Sequence, residues 1–152
     1  LFAYCRAIDR CDRELLESVY WTDGSDNHVI FDGPAGEFIE WVIPQLQAME
    51  QTTHALSNIL IELRGEEAKV ESQFCAFHRT RQEDRPMTFT LGGRYLDHMV
   101  KRHREWRILK RTTVFDWMQE DHTPVIGTGN VLGVEMPTHR YPNDLSYKLF
   151  AR

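Results

Sequence analysis

At 152 residues, with 41% hydrophobic and 27% charged residues, the chain has the length and composition of a single globular domain. A formal net charge of −5 argues against nucleic acid as a partner, because phosphate binding needs a basic surface. No apolar run approaches a membrane span, no signal peptide is visible, and a start at Leu1-Phe2-Ala3 without methionine points to sequence ahead of Leu1.

Phe2, Cys5 and Ile8 fall at helical spacing, so Phe2 to Asp9 reads as the end of a helix. Asp12 is a cap for a second short helix with Leu15, Leu16 and Val19 as its apolar stripe. Trp21 to Gly33 reads as loop and short strand. Asp23, Ser25, Asp26 and Asn27 imitate a calcium loop, but no glycine or terminal glutamate stands in register, so a polar surface loop is expected. Phe38, Trp41, Val42, Leu46 and Met49 mark a third helix over Glu37 to Ala48, bent or restarted near Pro44.

From Thr53 the period changes to two. Thr53 to Leu63, a turn at Gly65, and Ala68 to Arg79 form an expected hairpin. A polar loop, Thr80 to Arg85, leads to a second hairpin from Thr88 to Trp117, folded over the charged turn Lys101 to Glu105. The basic cluster Lys101, Arg102, His103 and Arg104 is read as a solvated turn. Gly92-Gly93 lies inside the strand pattern, where a bulge is its expected use. Between Trp106 and Trp117 neither alternate set of residues is purely polar, so both faces of this sheet are expected to be covered, with a lined cavity on one of them. Beyond Trp117, Pro124, Gly127, Gly129, Gly133, Pro137 and Pro142 break regular structure. Val125, Ile126, Val131, Leu132, Tyr141, Leu145, Tyr147, Leu149 and Phe150 are nevertheless too apolar for a free tail. Three helices followed by four long strands give an α+β order, with helices on one face of a curved antiparallel sheet.

Cys5, Cys11 and Cys75 have no metal-type spacing and leave an odd thiol, which fits a reducing, cytoplasmic setting. The seven histidines contain no HxH or HExxH pair, and no Gly-rich phosphate loop is present. Neither a metal nor a cofactor is expected.

The order of elements, with YCRAIDRCDRELL, the TTHALSN strand start, the GGRYLD run and EWRILKRTTVFDW, resembles the SnoaL-like branch of the NTF2-like superfamily. This is the branch of scytalone dehydratase, hexachlorocyclohexane dehydrochlorinase and bile-acid 7-alpha-dehydratase. The resemblance covers Leu1 to about Trp117. It implies a cone-shaped α+β barrel, a strongly curved mixed sheet whose helices close an internal pocket. Residues 1–117 would be that domain, and 118–152 an extension packed on the cone or on a neighbouring subunit.

The resemblance further implies an Asp–His dyad, with His54 as general base and Asp9 as the carboxylate that orients it. Tyr4, five residues before Asp9, would face the same cavity and donate to a leaving oxygen. His78 matches a second histidine able to protonate a departing hydroxide. Arg111 matches a pocket arginine that would bind an anionic or carbonyl-bearing substrate; an ion pair with Asp97 or Asp116 is the alternative. Asn58 shares the strand parity of His54 and is expected in the cavity wall. Tyr95, between Arg94 and Asp97, is expected at the substrate, with its neighbours as network residues. The implied activity is cofactor-independent elimination, a lyase or dehydratase reaction, on a hydrophobic cyclic or aromatic compound. A ketosteroid-type double-bond isomerase and a non-catalytic small-ligand-binding module are the alternatives. The relatives' habit implies a homo-oligomer, a trimer before a dimer.

Overall fold

The computed structural model describes residues 1–82, 85–121, 130–131, 134–135, 139–144 and 146–149. Helix α1 (Phe2–Arg10) and helix α2 (Arg13–Val19) are separated by Cys11 in the left-handed conformation and by Asp12. The Asp12 carboxylate accepts from the Leu15 N–H, so the cap is the one expected from sequence. Strands β1 (Tyr20–Asn27) and β2 (Asp32–Pro34) follow, then helix α3 (Ala35–Gln47), which runs as one helix through Pro44. The segment read as loop and short strand thus supplies a strand of the main sheet, Tyr20–Asn27. Its Asp26 finds partners in the interior while Asp23 pairs with Arg102 at the surface, tertiary effects that local pattern does not carry.

Two long hairpins complete the main body: β3 (Gln51–Arg64) with β4 (Glu67–Gln82), and β5 (Arg85–Arg102) with β6 (Glu105–Asp121). The second turns on His103 and Arg104, both at positive φ, the backbone combination that matches hairpin twist. The sheet order is β2-β1-β6-β5-β4-β3, with β1 and β6 parallel and every other pair antiparallel. The sheet is therefore mixed and open rather than closed into a barrel. In the tail, β7 (Asn130–Val131) pairs with β8 (Val134–Glu135), and Ser146–Leu149 forms the short helix α4.

In β4 the inward set is unbroken: Ala68, Val70, Ser72, Phe74, Ala76 and His78 are all buried. The helices cover this face, and the core lies between it and Tyr4, Ile8, Leu16, Phe38, Ile39 and Ile43. The other face is left open by the described residues. On it Leu60, Leu96 and Trp117 are exposed. Within the described residues of one chain, one of the two faces expected to be covered is covered. The mixed pattern of β6 has a different cause, because Met99 pairs with Ile108 and His98 with Lys110, so Leu109 is an extra residue. A bulge exchanges inside and outside. Ile108 before it and Arg111 and Thr113 after it are all buried, although Ile108 has the opposite parity.

A second shift falls opposite Gly92-Gly93: Gly92 pairs with Trp117 and Gly93 with Phe115, so the extra residue is Asp116 and the bulge is in β6 rather than in the glycines' own strand. There a Cβ on Gly93 would lie 2.1 Å from the Val114 carbonyl oxygen and one on Gly92 would meet the Trp117 ring.

Several tail residues lie against the helices. The Tyr141 N–H donates to the Arg10 carbonyl (3.0 Å), and the Tyr147 hydroxyl donates to Asp12 (2.7 Å). Arg140 donates to the carbonyls of Leu46 and Met49 and contacts the Cys11 thiol. Val125, Ile126, Leu132, Leu145 and Phe150 lie outside the described residues, as do the side chains of Val131 and Leu149.

Candidate active site

Asp9 stands near the C-terminus of α1, and His54 near the start of β3. The His54 ring Nδ1 lies 2.7 Å from Asp9 Oδ1, and the His54 backbone N–H donates to Asp9 Oδ2 at 2.8 Å. A carboxylate only accepts, so Nδ1 carries the proton of this contact, and Nε2 is the nitrogen left with a free lone pair. Both side chains are nearly buried.

His54 lines a cavity of about 260 Å³ between the helices and the sheet. Its walls are largely apolar: Ile8 from α1, Trp41, Val42 and Leu46 from α3, and Phe74, Phe89, Leu91 and Phe115 from the sheet. The polar groups among them are few. A larger hollow of about 370 Å³, lined by Leu60, Glu62, Lys69, Leu96 and Lys110, is an open trough on the opposite, solvent-facing side of the sheet and is remote from the pair.

Tyr4, His78 and Tyr95 also line the cavity. The His78 ring lies edge-on to His54 at 5.3 Å and is stacked on Phe89 at 4.5 Å. Burial first, and the neighbouring His54 second, push its pKa down from 6.5 to about 4. Its Nδ1 is buried without a hydrogen-bond partner among the described residues. His78 is therefore neutral at pH 7. It offers a hydrogen bond rather than a stored proton, a correction to the role expected for it. Burial also raises the Tyr4 and Tyr95 phenols well above their ordinary range, so both remain protonated donors.

Arg111 does not reach the cavity wall. It is wholly buried, forms a two-pronged pair with Asp97 (2.7 Å for both bonds), and lies between the faces of Tyr4 and Tyr95, 4.0 and 4.1 Å from the ring centres. Of the two roles open from sequence, the geometry has the ion pair with Asp97. Arg94 pairs with Asp116 on the exposed side.

Asn58 is also outside the cavity: it is exposed, at φ 47°, and bonded to Gln73. Ser57 pairs with Gln73 but Leu60 with Glu71, so a bulge at Asn58 breaks the parity that linked it to His54.

Sequence reading missed His28 and Asp26. His28 lines the cavity, its Nδ1 2.5 Å from Asp26 Oδ1, and the fully buried Asp26 also accepts from the Tyr20 hydroxyl at 2.5 Å. The only available signal was the alternation of Asp26 and His28 two apart, one face of a strand, inside a segment taken for loop. Among the described residues no group of three or more His, Cys, Asp or Glu is arranged to hold a metal ion, and no helix is long and apolar enough to cross a membrane.

A family model described as a SnoaL-like domain matches residues 1–112. The chain belongs to the SnoaL-like family. Its NTF2-like architecture recurs in solved structures. One is a Novosphingobium aromaticivorans protein provisionally named a scytalone dehydratase, 25% identical, with a TM-score of 0.70 over 81% of this chain and 83% of that one. A type 2 hexachlorocyclohexane dehydrochlorinase (LinA) superposes with a TM-score of 0.74 at 12% identity, over 86% and 89% of the two chains. The Kfla4162 protein of Kribbella flavida gives 0.71 at 16% identity, over 78% and 86%. Among curated proteins, none matches the chain.

Proposed function

We propose that this SnoaL-like protein is a lyase that eliminates water, or a comparable group, from a hydrophobic cyclic or aromatic compound, using its own side chains and no cofactor. The observation that carries this reading is the Asp9–His54 pair opening into an apolar cavity. With Nδ1–H held by Asp9, His54 Nε2 removes a proton from the carbon next to the one bearing the leaving group. The C–H electrons form the new double bond, and the leaving group departs with its bonding pair. A departing hydroxide takes a hydrogen bond from the His78 N–H, or from the Tyr4 phenol, and its second proton from His54, which resets the base.

The apolar walls favour this chemistry twice. They hold a flat hydrophobic substrate, and they keep water away from the imidazole, where it would compete for Nε2. The provisional dehydratase and the dehydrochlorinase among the similar structures bear names of the same reaction class.

A panel of hydroxylated steroids, lignin-type dimers and hydroxylated polycyclic phenols, read by mass spectrometry, tests the reading. Loss of water from a panel member with the wild type, and its absence with His54→Ala, is the expected result. Turnover without mass change would mean isomerisation. Full activity in His54→Ala would refute the assignment of the base.

A further inference from the structure

The cavity has a second imidazole–carboxylate pair, and the elimination chemistry does not use it. His28 follows directly on the end of β1, its ring stacked on Phe38 at 4.9 Å and its side chain nearly buried. Asp26, two residues earlier and within β1, is fully buried, and both its oxygens are engaged, one by His28 Nδ1 and one by the Tyr20 hydroxyl. A carboxylate withdrawn from water costs folding free energy unless its partners compensate. Here those partners include an imidazole in the wall of a ligand-sized cavity, an arrangement with a functional rather than a packing rationale. Because Asp26 takes the Nδ1 proton, Nε2 is again the nitrogen available to a ligand. The Thr113 hydroxyl stands 3.2 Å from Nδ1 and 3.4 Å from Nε2; the latter is too long to commit Nε2 to it.

His28 and His54 enter the cavity from opposite sides. In the sheet order, β6, β5 and β4 separate β1 from β3. At roughly 4.8 Å per strand, a flat sheet would put the two strands on the order of 19 Å apart. Both nonetheless line one cavity of about 260 Å³, so the curved sheet turns them towards each other. Between them the wall is aromatic: Phe74 stacked on Tyr95 at 4.5 Å, with Phe115 edge-on to Phe74 and 6.3 Å from His28. The volume lies just below the ~300 Å³ at which drug-sized pockets begin.

We infer that His28, oriented by Asp26, is a second ligand-binding position in this cavity, and that the compound bound is a flat two-ring molecule with an oxygen at each end, one at His54 and His78 and one at His28. The inference rests on the proposed function only in taking this cavity as the substrate site. It deepens that reading by naming a substrate class, fused-ring or linked-ring compounds oxygenated at both ends. The far oxygen fixes which carbon is presented to His54.

Calorimetric titration with naphthalene, 2-naphthol and 2,6-naphthalenediol tests it, because binding needs no turnover. The wild type is expected to bind the diol about tenfold tighter than 2-naphthol, the worth of one good hydrogen bond in a dry site. In His28→Phe, which keeps the stack on Phe38, and in His28→Gln, which keeps a polar group without the imidazole, that ratio should fall towards one in Phe and only partly in Gln. Imidazole nitrogen-15 spectra of the wild type provide a measurement independent of any variant: the His28 Nε2 resonance should move with the diol and stay in place with naphthalene. An unchanged ratio in His28→Phe, no preference for the diol in the wild type, no binding by any of the three, or a stationary His28 resonance would each overturn the inference. A preference lost in His28→Phe, with no eliminated product from any panel compound, would instead leave the binding position standing and discard the lyase.

Discussion

Asp9 holds His54 at two points, one carboxylate oxygen on the ring Nδ1 and the other on the backbone N–H. The two bonds make different demands on a replacement. Asparagine has one acceptor and one donor, and the backbone N–H requires the acceptor. The amide NH₂ then faces Nδ1, which must become an acceptor itself and shift the ring proton to Nε2. Asp9→Asn is therefore expected to preserve the fold while removing the basic nitrogen, with kcat on a confirmed substrate lowered roughly 10²–10⁴-fold. Imidazole nitrogen spectra, which separate the tautomers, check the cause independently of activity.

His54→Ala removes the base and leaves one Asp9 oxygen without its ring partner. Turnover should fall by a similar factor, with stability reduced by about 1–3 kcal/mol in urea denaturation. A variant that is fully active would place the chemistry elsewhere.

His78 makes acid stability measurable. Its folded pKa, about 4, lies below its ordinary 6.5, so the unfolded chain takes up the proton first. The contribution of neutral His78 is complete above pH 6.5 and is lost as the pH falls towards 4. Between pH 7 and pH 5 the wild type should lose about 2 kcal/mol more than His78→Phe. Paired urea denaturations at the two values give the difference directly.

Opposite the Asp116 bulge of β6, two adjacent glycines of β5 should respond unequally to alanine. A Cβ on Gly93 meets a backbone carbonyl at 2.1 Å, which cannot move without disturbing the ladder. One on Gly92 meets the half-exposed Trp117 ring, which can swing towards solvent. Gly93→Ala should cost about 1–3 kcal/mol and Gly92→Ala less. Thermal melts of the two variants would show the order.

The sheet face that the described residues leave open bears on assembly. On that face Leu60, Leu96 and Trp117 expose apolar surface that neighbouring copies would bury, and a homo-oligomer, a trimer before a dimer, is expected. Light scattering coupled to size exclusion reads the mass, and a single-chain mass at micromolar concentration would refute it. Leu96→Glu should shift the mass towards one chain without unfolding it.

Much of the fold was legible in the sequence because helices and hairpins announce themselves locally. The spacing of Phe2, Cys5 and Ile8, the Asp12 cap, and the period-two run from Ala68 to His78 each needed only neighbouring residues. What escaped depended on distant partners or on a change of register. Strand β1 hid behind Asp23, Ser25, Asp26 and Asn27, whose polarity resembles a loop until Tyr20 and His28 are seen to satisfy Asp26. Asn58 was misplaced because a bulge inverts parity within β3. The meeting of Asp9 with His54, 45 positions apart, has no local signature at all; only the resemblance to a family pointed to it.

The extra residue at Leu109 separates two properties of β6 that usually travel together. Deleting it would leave Ile108, Arg111 and Thr113 facing inward, since regular alternation would then run through them without interruption. What would be lost is the local twist that a bulge adds to a strand. Which side chains β6 turns inward and how strongly the strand twists are thus governed by different features, one by side-chain identity and the other by a count of backbone residues. Chain length in β6, changed by a single residue and with no inward side chain altered, becomes a means of adjusting the curvature of the sheet.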